Sequence, residues 1–203
     1  MNIRRRALAL AAALALAAGL PAHGQALSEA DVKRGTELMQ QQMATMTPEL
    51  AERARSLSPQ IKQFLMKVAL RHERRSDTLT LRQVMQELLA DYQSVGAAIA
   101  VDNGPMAADA ARRLAGHRLP RGGMLPYLPL DKVTNESLGV LPAMEIAVEG
   151  NAWKLVEAAE KSDMAGAAQA YGGITAGCVA CHAHFRGQPG ATAYFPRLKE
   201  AAK

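Results

Sequence analysis

Cysteine is nearly absent: the 203-residue chain has two, Cys178 and Cys181. That number excludes a four-thiolate zinc site, and it leaves no thiol for a structural disulfide once the pair is committed to another task. Aromatic residues are scarce, at 4%, and β-branched runs are few, which argues against sheet. No internal repeat is visible, and no low-complexity segment lies beyond the N-terminus. No Lys/Arg patch interleaved with aromatics is present, so a nucleic-acid partner is not expected. No acid/base pair and no nucleophile with a supporting partner stands at a recognisable spacing, so no enzyme is expected. The one long apolar run, Ala7 to Leu20, is 14 residues, short of the roughly 20 that span a bilayer. No stable membrane span is expected.

What is present starts with an address. Met1 to Arg6 is basic, Ala7 to Leu20 is Ala/Leu-rich, and Pro21 to Ala26 breaks helix and ends in small residues. This is the layout of a secretory signal peptide over residues 1–25, with cleavage after Gly24 or Ala26. Arg4-Arg5-Arg6 brushes the twin-arginine pattern. No Ser or Thr precedes it, however, and general secretion fits better. Three of the charges behind the formal net charge of +5 are these arginines, so the processed chain carries +2. The processed chain is therefore expected in the periplasm, an oxidising compartment. About 178 residues remain, enough for one domain with a real core.

Ala, Leu, Met, Glu and Gln dominate that remainder and favour helix almost throughout. Ser28, with Glu29 and Asp31 behind it, predicts a helix start and a helix to about Met46. Thr47-Pro48 and Ser58-Pro59 each place proline at a first helical position behind a capping hydroxyl. From Ser58, Ile61, Phe64, Leu65, Val68 and Ala69 give one apolar face, and Arg71 to Asp77 reads as a solvated, charged segment. A second amphipathic helix runs from about Thr80 to Val101, with Leu81, Val84, Met85, Leu88, Leu89, Tyr92, Val95 and Ile99 on one stripe. Pro105 starts a shorter helix that ends near His117, where the negative end of the helix dipole accounts for an imidazole. Arg118 to Thr134 is too rich in Pro and Gly for regular helix. Leu141-Pro142 opens a helix whose Ile146, Trp153, Leu155, Val156 and Ala159 are expected to be buried, with Gly150 as a weak point or close-packing site. Ser162-Asp163 caps the last helix, to about Arg186. Along one side it carries Ala167, Tyr171, Ile174, Cys178, Cys181, His182 and Phe185.

The order after Thr80 is helix, helix, loop, helix, helix, which suits an antiparallel four-helix bundle. The expected fold class is therefore all-α: a four-helix bundle over 80–186 with a helical extension over 26–79 and a tail over 187–203.

The strongest chemical signal is Cys178-Val179-Ala180-Cys181-His182. A Cys-x-x-Cys pair can be a redox dithiol, half a zinc site or a disulfide. Followed at once by His, it matches the attachment signature of c-type haem. On a helix, positions i and i+3 share a face, so both sulfurs can reach the two vinyl groups along one porphyrin edge. His182 then brings a ring nitrogen under the iron. Cys178 and Cys181 are thus the expected covalent anchors of one haem c, and His182 the expected proximal ligand.

The run from Cys178 to Arg186, with Tyr171 and the Lys161-Ser162-Asp163 turn before it, resembles the C-terminal half of the cytochrome c′ and cytochrome c-556 family of class II c-type cytochromes. Arg82 to Ile99 and Asp109 to His117 look like that family's first two bundle helices, so the likeness covers roughly 80–186. It implies that Arg186 lies near the proximal imidazole or a propionate. It also implies that Met85 occupies the first-helix position facing the distal side of the iron, where c-556-like members carry methionine and c′ members an apolar non-ligand. A thioether there fills the sixth site and raises the reduction potential. The alternative for Met85 is gap-filling core, and Met39, Met43 and Met46 are competitors on another helix. His72, His117 and His184 are weak candidates for a second histidine ligand. Tyr92, Tyr171 and Trp153 read as packing residues. The extension over 26–79 and the long tail depart from the family; the extension could cover a bundle face, form a homodimer interface or bind a redox partner protein.

Three readings follow. One is a periplasmic electron carrier with a low-spin haem held by His182 and Met85. Another is a five-coordinate, c′-like protein that binds NO or CO. A haem of mainly structural role, with partner docking by the extension, is the third reading.

Overall fold

A computed structural model describes residues 27–185, which are all-α: no strand occurs among them, and the one β-bridge joins Arg75 to Leu119. Side-chain caps set the helix starts. Ser28 accepts from Asp31 N at 3.1 Å to begin α1 (Glu29–Ala44). Thr47 and Ser58 cap α2 (Pro48–Ser56) and α3 (Pro59–Arg71), each with proline in the first turn. Thr80 begins α4 (Leu81–Ala100), with Gln83 reaching back to the Thr80 N–H at 2.8 Å. Each cap satisfies an amide that the helix itself cannot.

Next come α5 (Gly104–Ala115), the short α6 (Asn135–Leu138) and α7 (Leu141–Glu145), then a π-helical stretch over Ile146–Gly150 that leads into α8 (Asn151–Glu160) and finally α9 (Met164–Phe185). Between α5 and α6 the Pro/Gly-rich segment is irregular apart from two single 3₁₀ turns, Leu125–Tyr127 and Leu130–Lys132. The two tight turns of the bundle are built alike. Asp102 and Ser162 take positive φ, 54° and 59°, and the next residues donate back five positions, Asn103 N to Ala98 O and Asp163 N to Ala158 O, both at 2.9 Å. These are six-to-one closures that reverse the chain between antiparallel helices.

Helices α4, α5, α8 and α9 pack in sequence, and α9 returns to α4, closing a ring of four. Their shared core is Val95, Ala98, Ala107, Ala110, Ala111, Leu114, Ala152, Leu155, Ala167 and Ile174, with half-buried Leu88, Tyr92, Val148 and Cys178 against it. The abundance of alanine brings the helices close. Where α9 meets the π stretch the approach is close: a Cβ on Gly177 would sit 3.0 Å from the Ala147 carbonyl carbon and 2.8 Å from Val148 Cγ2.

The N-terminal helices share a core with the irregular connection. Met46, Leu50, Ala54, Leu57 and Ile61 form a second core with Leu125, Leu128, Val133, Leu138 and Leu141 of the irregular connection, and with Phe185 at the end of α9. Helix α1 lies on α3, with Gly35 against Met66 so closely that a Cβ would fall inside the Met66 side chain.

Several sequence expectations are corrected. Ile146 and Trp153 are exposed rather than buried, at 58% and 47%. The buried stripe of α8 is Ala152, Leu155, Val156 and Ala159, and Trp153 falls off it at 100° per residue. On α4, Val84 and Val95 are buried, but Met85 and Leu89 of the expected continuous stripe are exposed. His72, read as part of a solvated segment, is buried at 3% exposure. The expected signal peptide, Arg186 and the expected C-terminal tail lie outside the described residues.

Candidate cofactor-attachment site

The Cys178–His182 motif occupies the last two turns of α9. Helix α9 runs antiparallel to α4. Gly96 lies against the Tyr171 hydroxyl, the rings of Tyr92 and Tyr171 stack at 4.4 Å, and one turn further along α9 the Tyr92 hydroxyl meets Thr175 Oγ1 at 2.6 Å. From that contact pair helical geometry carries the register forward. One turn on, Leu88 and Leu89 fall opposite Cys178 and Val179, and two turns on Met85 falls opposite His182, about 10 Å along the axis from the Tyr92–Thr175 contact. Leu88 and Cys178 both pack against the bundle core.

Beyond the tyrosine pair, the facing surfaces of the two helices are apolar and uncovered. Met85, Leu89 and Val179 are exposed at 37%, 53% and 63%, and His182 is exposed beside them. Isolated apolar residues on a surface need no explanation; several on the two sides of one helix pair, next to a thiol pair, do. Cys178 is half-buried against the bundle core and Cys181 half-buried against the second core. Both thiols are free. Burial pushes both up from the usual thiol range, and for Cys181 the neighbouring Cys178 adds to this.

These features discriminate between the readings of the motif. A redox dithiol works through a thiolate of lowered pKa at a helix N-terminus, whereas this pair stands at the negative end of α9 with raised values. A zinc site needs its donors to converge. Among the described residues, only His72, His117 and Glu149 bring three donor atoms within 4.8 Å of one another, so Cys178, Cys181 and His182 do not. Offsets of three and four residues instead set Cys181 and His182 one turn beyond Cys178 on the same side of the helix end, as a broad planar group anchored at its edge requires. The residues fit a covalently held haem: two free thiols one turn apart, an accessible imidazole, and an apolar strip without a partner.

No protein-family model matches the chain, and no curated protein or solved structure is significantly similar to it.

The remaining predicted residues are placed as follows. Met43 is half-buried against the second core and Met46 is buried within it, and Met39 is half-buried on α1, so none of the three lies on the α4 surface facing the motif. His184 is half-buried, with Nε2 3.2 Å from the Ser137 carbonyl oxygen and its ring edge-on to Phe185. His72 and His117 meet at Glu149 on the π stretch. Sequence reasoning did not find that cluster. Its members are 32 and 45 positions apart, and no short spacing links them.

Proposed function

We propose that the protein is an exported mono-haem c-type cytochrome that carries electrons, with haem c joined to Cys178 and Cys181, His182 as proximal ligand and Met85 as sixth ligand. The observation that carries this reading is the Cys-x-x-Cys-His motif at the end of α9, beside an uncovered apolar strip that includes Met85. In this reading the protein resembles the cytochrome c′ and c-556 family and acts in the periplasm with redox partner proteins.

Each residue then has a defined task. The two thiols and His182 tie the group to α9, and Met85, on α4, is the ligand that links the two helices through it. His182 offers a neutral ring nitrogen, and Met85 a soft, uncharged sulfur that favours the reduced state. Leu88, Leu89 and Val179 exclude water from the ring faces, which also favours the less charged iron. A haem so held supplies a one-electron ferric/ferrous couple. Optical spectra of the purified ferric and ferrous protein test the proposal: low-spin bands in both states support it, and the absence of haem bands rejects it.

The five-coordinate reading keeps one specific support. Leu88, half-buried against the same core as Cys178, is on the α4 surface where an apolar non-ligand would stand. Carbon monoxide added to the reduced protein separates the two, because a firm methionine ligand resists displacement and a vacant site binds.

A further inference from the structure

Away from the motif, two imidazoles and a carboxylate converge from three parts of the chain. His72 ends α3, His117 follows α5, and Glu149 stands on the π stretch. The loops that carry the histidines are pinned together by the Arg75–Leu119 bridge, with Leu119 N donating to Arg74 O at 2.9 Å and Ser76 N to Leu119 O at 3.1 Å. Each histidine is oriented through its other nitrogen. His72 Nδ1 lies 3.0 Å from Val68 O and His117 Nδ1 2.8 Å from Arg118 O. A carbonyl only accepts, so both Nδ1 atoms carry a proton and Nε2 is the nitrogen each ring turns to Glu149, offering a lone pair to a metal whenever the ring is neutral.

Those nitrogens meet at one carboxylate. His72 Nε2 is 3.4 Å and His117 Nε2 3.6 Å from Glu149 Oε1, and all three donor atoms lie within 4.8 Å of one another. Tetrahedral zinc with bonds of about 2.0–2.1 Å has ligand–ligand edges of about 3.3 Å, so two of the three edges are nearly in place. His72 Nε2 is buried and makes no hydrogen bond, an open valence aimed at the shared point. Carbonyl-anchored imidazoles of this kind are the usual outer shell of a metal-binding histidine. The carboxylate itself stands on a π-helical turn, a local distortion that recurs at functional sites. Glu145, one turn before Glu149, is already paired with Arg71, which leaves Glu149 as the carboxylate turned to the two histidines. A cavity of about 270 Å³, lined by Arg74, Glu87, Leu88, Asp91 and Arg113 among others, reaches His117 from the surface and offers a way in.

We propose that His72, His117 and Glu149 bind a divalent transition-metal ion of the zinc class, with water in the fourth position, and that this ion fastens the α3 end of the N-terminal region to the bundle. Two imidazoles and one carboxylate suit Zn²⁺ better than Mg²⁺ or Ca²⁺, which take oxygen ligands. The site is independent of the haem reading, because none of its residues belongs to the Cys178–His182 motif.

The test uses the full-length exported protein, stripped with a chelator and dialysed against buffered Zn²⁺, with bound metal counted by mass spectrometry. One Zn²⁺ per chain is expected in the wild type and in the C178S/C181S protein, with affinity at least about 100-fold weaker in H117Q and in E149Q. No stoichiometric zinc in the wild type, or wild-type affinity in both H117Q and E149Q, overturns the proposal. Zinc-edge absorption on the wild type guards against misfolded variants. A first shell of nitrogen and oxygen near 2.0–2.1 Å is expected, and a sulfur shell near 2.3 Å overturns it.

Discussion

Val84 and Met85 are adjacent on α4, and the structure assigns them opposite roles. Val84 is fully buried in the interior, whereas Met85 is 37% exposed on the strip facing the motif. Val84→Ala removes two buried methyl groups, which costs about 1.6 kcal/mol in transfer and, with the cavity, roughly 2–3 kcal/mol. Met85→Ala removes a longer side chain that is only partly covered, so its packing cost stays near 1–1.5 kcal/mol. If Met85 holds the iron, the spectra reverse that order: Met85→Ala turns a low-spin ferrous spectrum high-spin and admits carbon monoxide, while Val84→Ala leaves both unchanged. Denaturant unfolding and optical spectra on the same two proteins measure both effects. An unaltered ferrous spectrum in Met85→Ala, or the same spectral change in Val84→Ala, refutes the ligand assignment.

Three further outcomes are expected. Burial alone would push the Glu149 carboxyl up, but His117 and His72 outweigh it and hold it at about 2 against an ordinary 4.5. Stability from that lowering is full above 4.5, worth about 3 kcal/mol at most, and is lost as pH falls from 4.5 toward 2. For His72, burial pulls down but Glu149 raises it above 6.5, so the same pair also weakens as pH rises through that raised value. With a chelator present, Glu149→Gln should flatten both limbs in unfolding titrations, and an unchanged acid limb would contradict the pairing. Gly177→Ala gains about 1 kcal/mol in helix propensity but drives a methyl into the Ala147 backbone, for a net loss of about 1–3 kcal/mol; a rise in Tm would show that the close approach is not there. Deleting residues 27–78 uncovers Leu125, Leu128, Val133, Leu138, Leu141 and Phe185; the truncated protein should aggregate or unfold, and a stable monomer with wild-type Tm would make the extension dispensable.

The fold was legible where local chemistry decides it. Thr47-Pro48, Ser58-Pro59 and Thr80 with Gln83 each mark a helix start, and each helix begins there because cap and proline act within one turn. Long-range packing was not legible. The second core joins residues 46–61 to 125–141 and to Phe185, and no periodicity within either segment announces the other. Trp153 shows a reading that overvalued size: its apolar area suggested burial, while the spacing of Leu155, Val156 and Ala159 already placed it off the stripe. The attachment motif was legible because three residues within five positions carry it. The His72–His117–Glu149 cluster was not, since the Arg75–Leu119 bridge and the π stretch, both products of folding, bring its members together.

The central claim is a covalent haem on Cys178 and Cys181, and an intact mass of the purified, processed protein after acid–acetone extraction tests it most directly. The expected result is the polypeptide plus one haem in the wild type, with the haem lost from the C178S/C181S protein. A wild-type mass equal to the bare polypeptide, with all haem in the extract, would contradict the account.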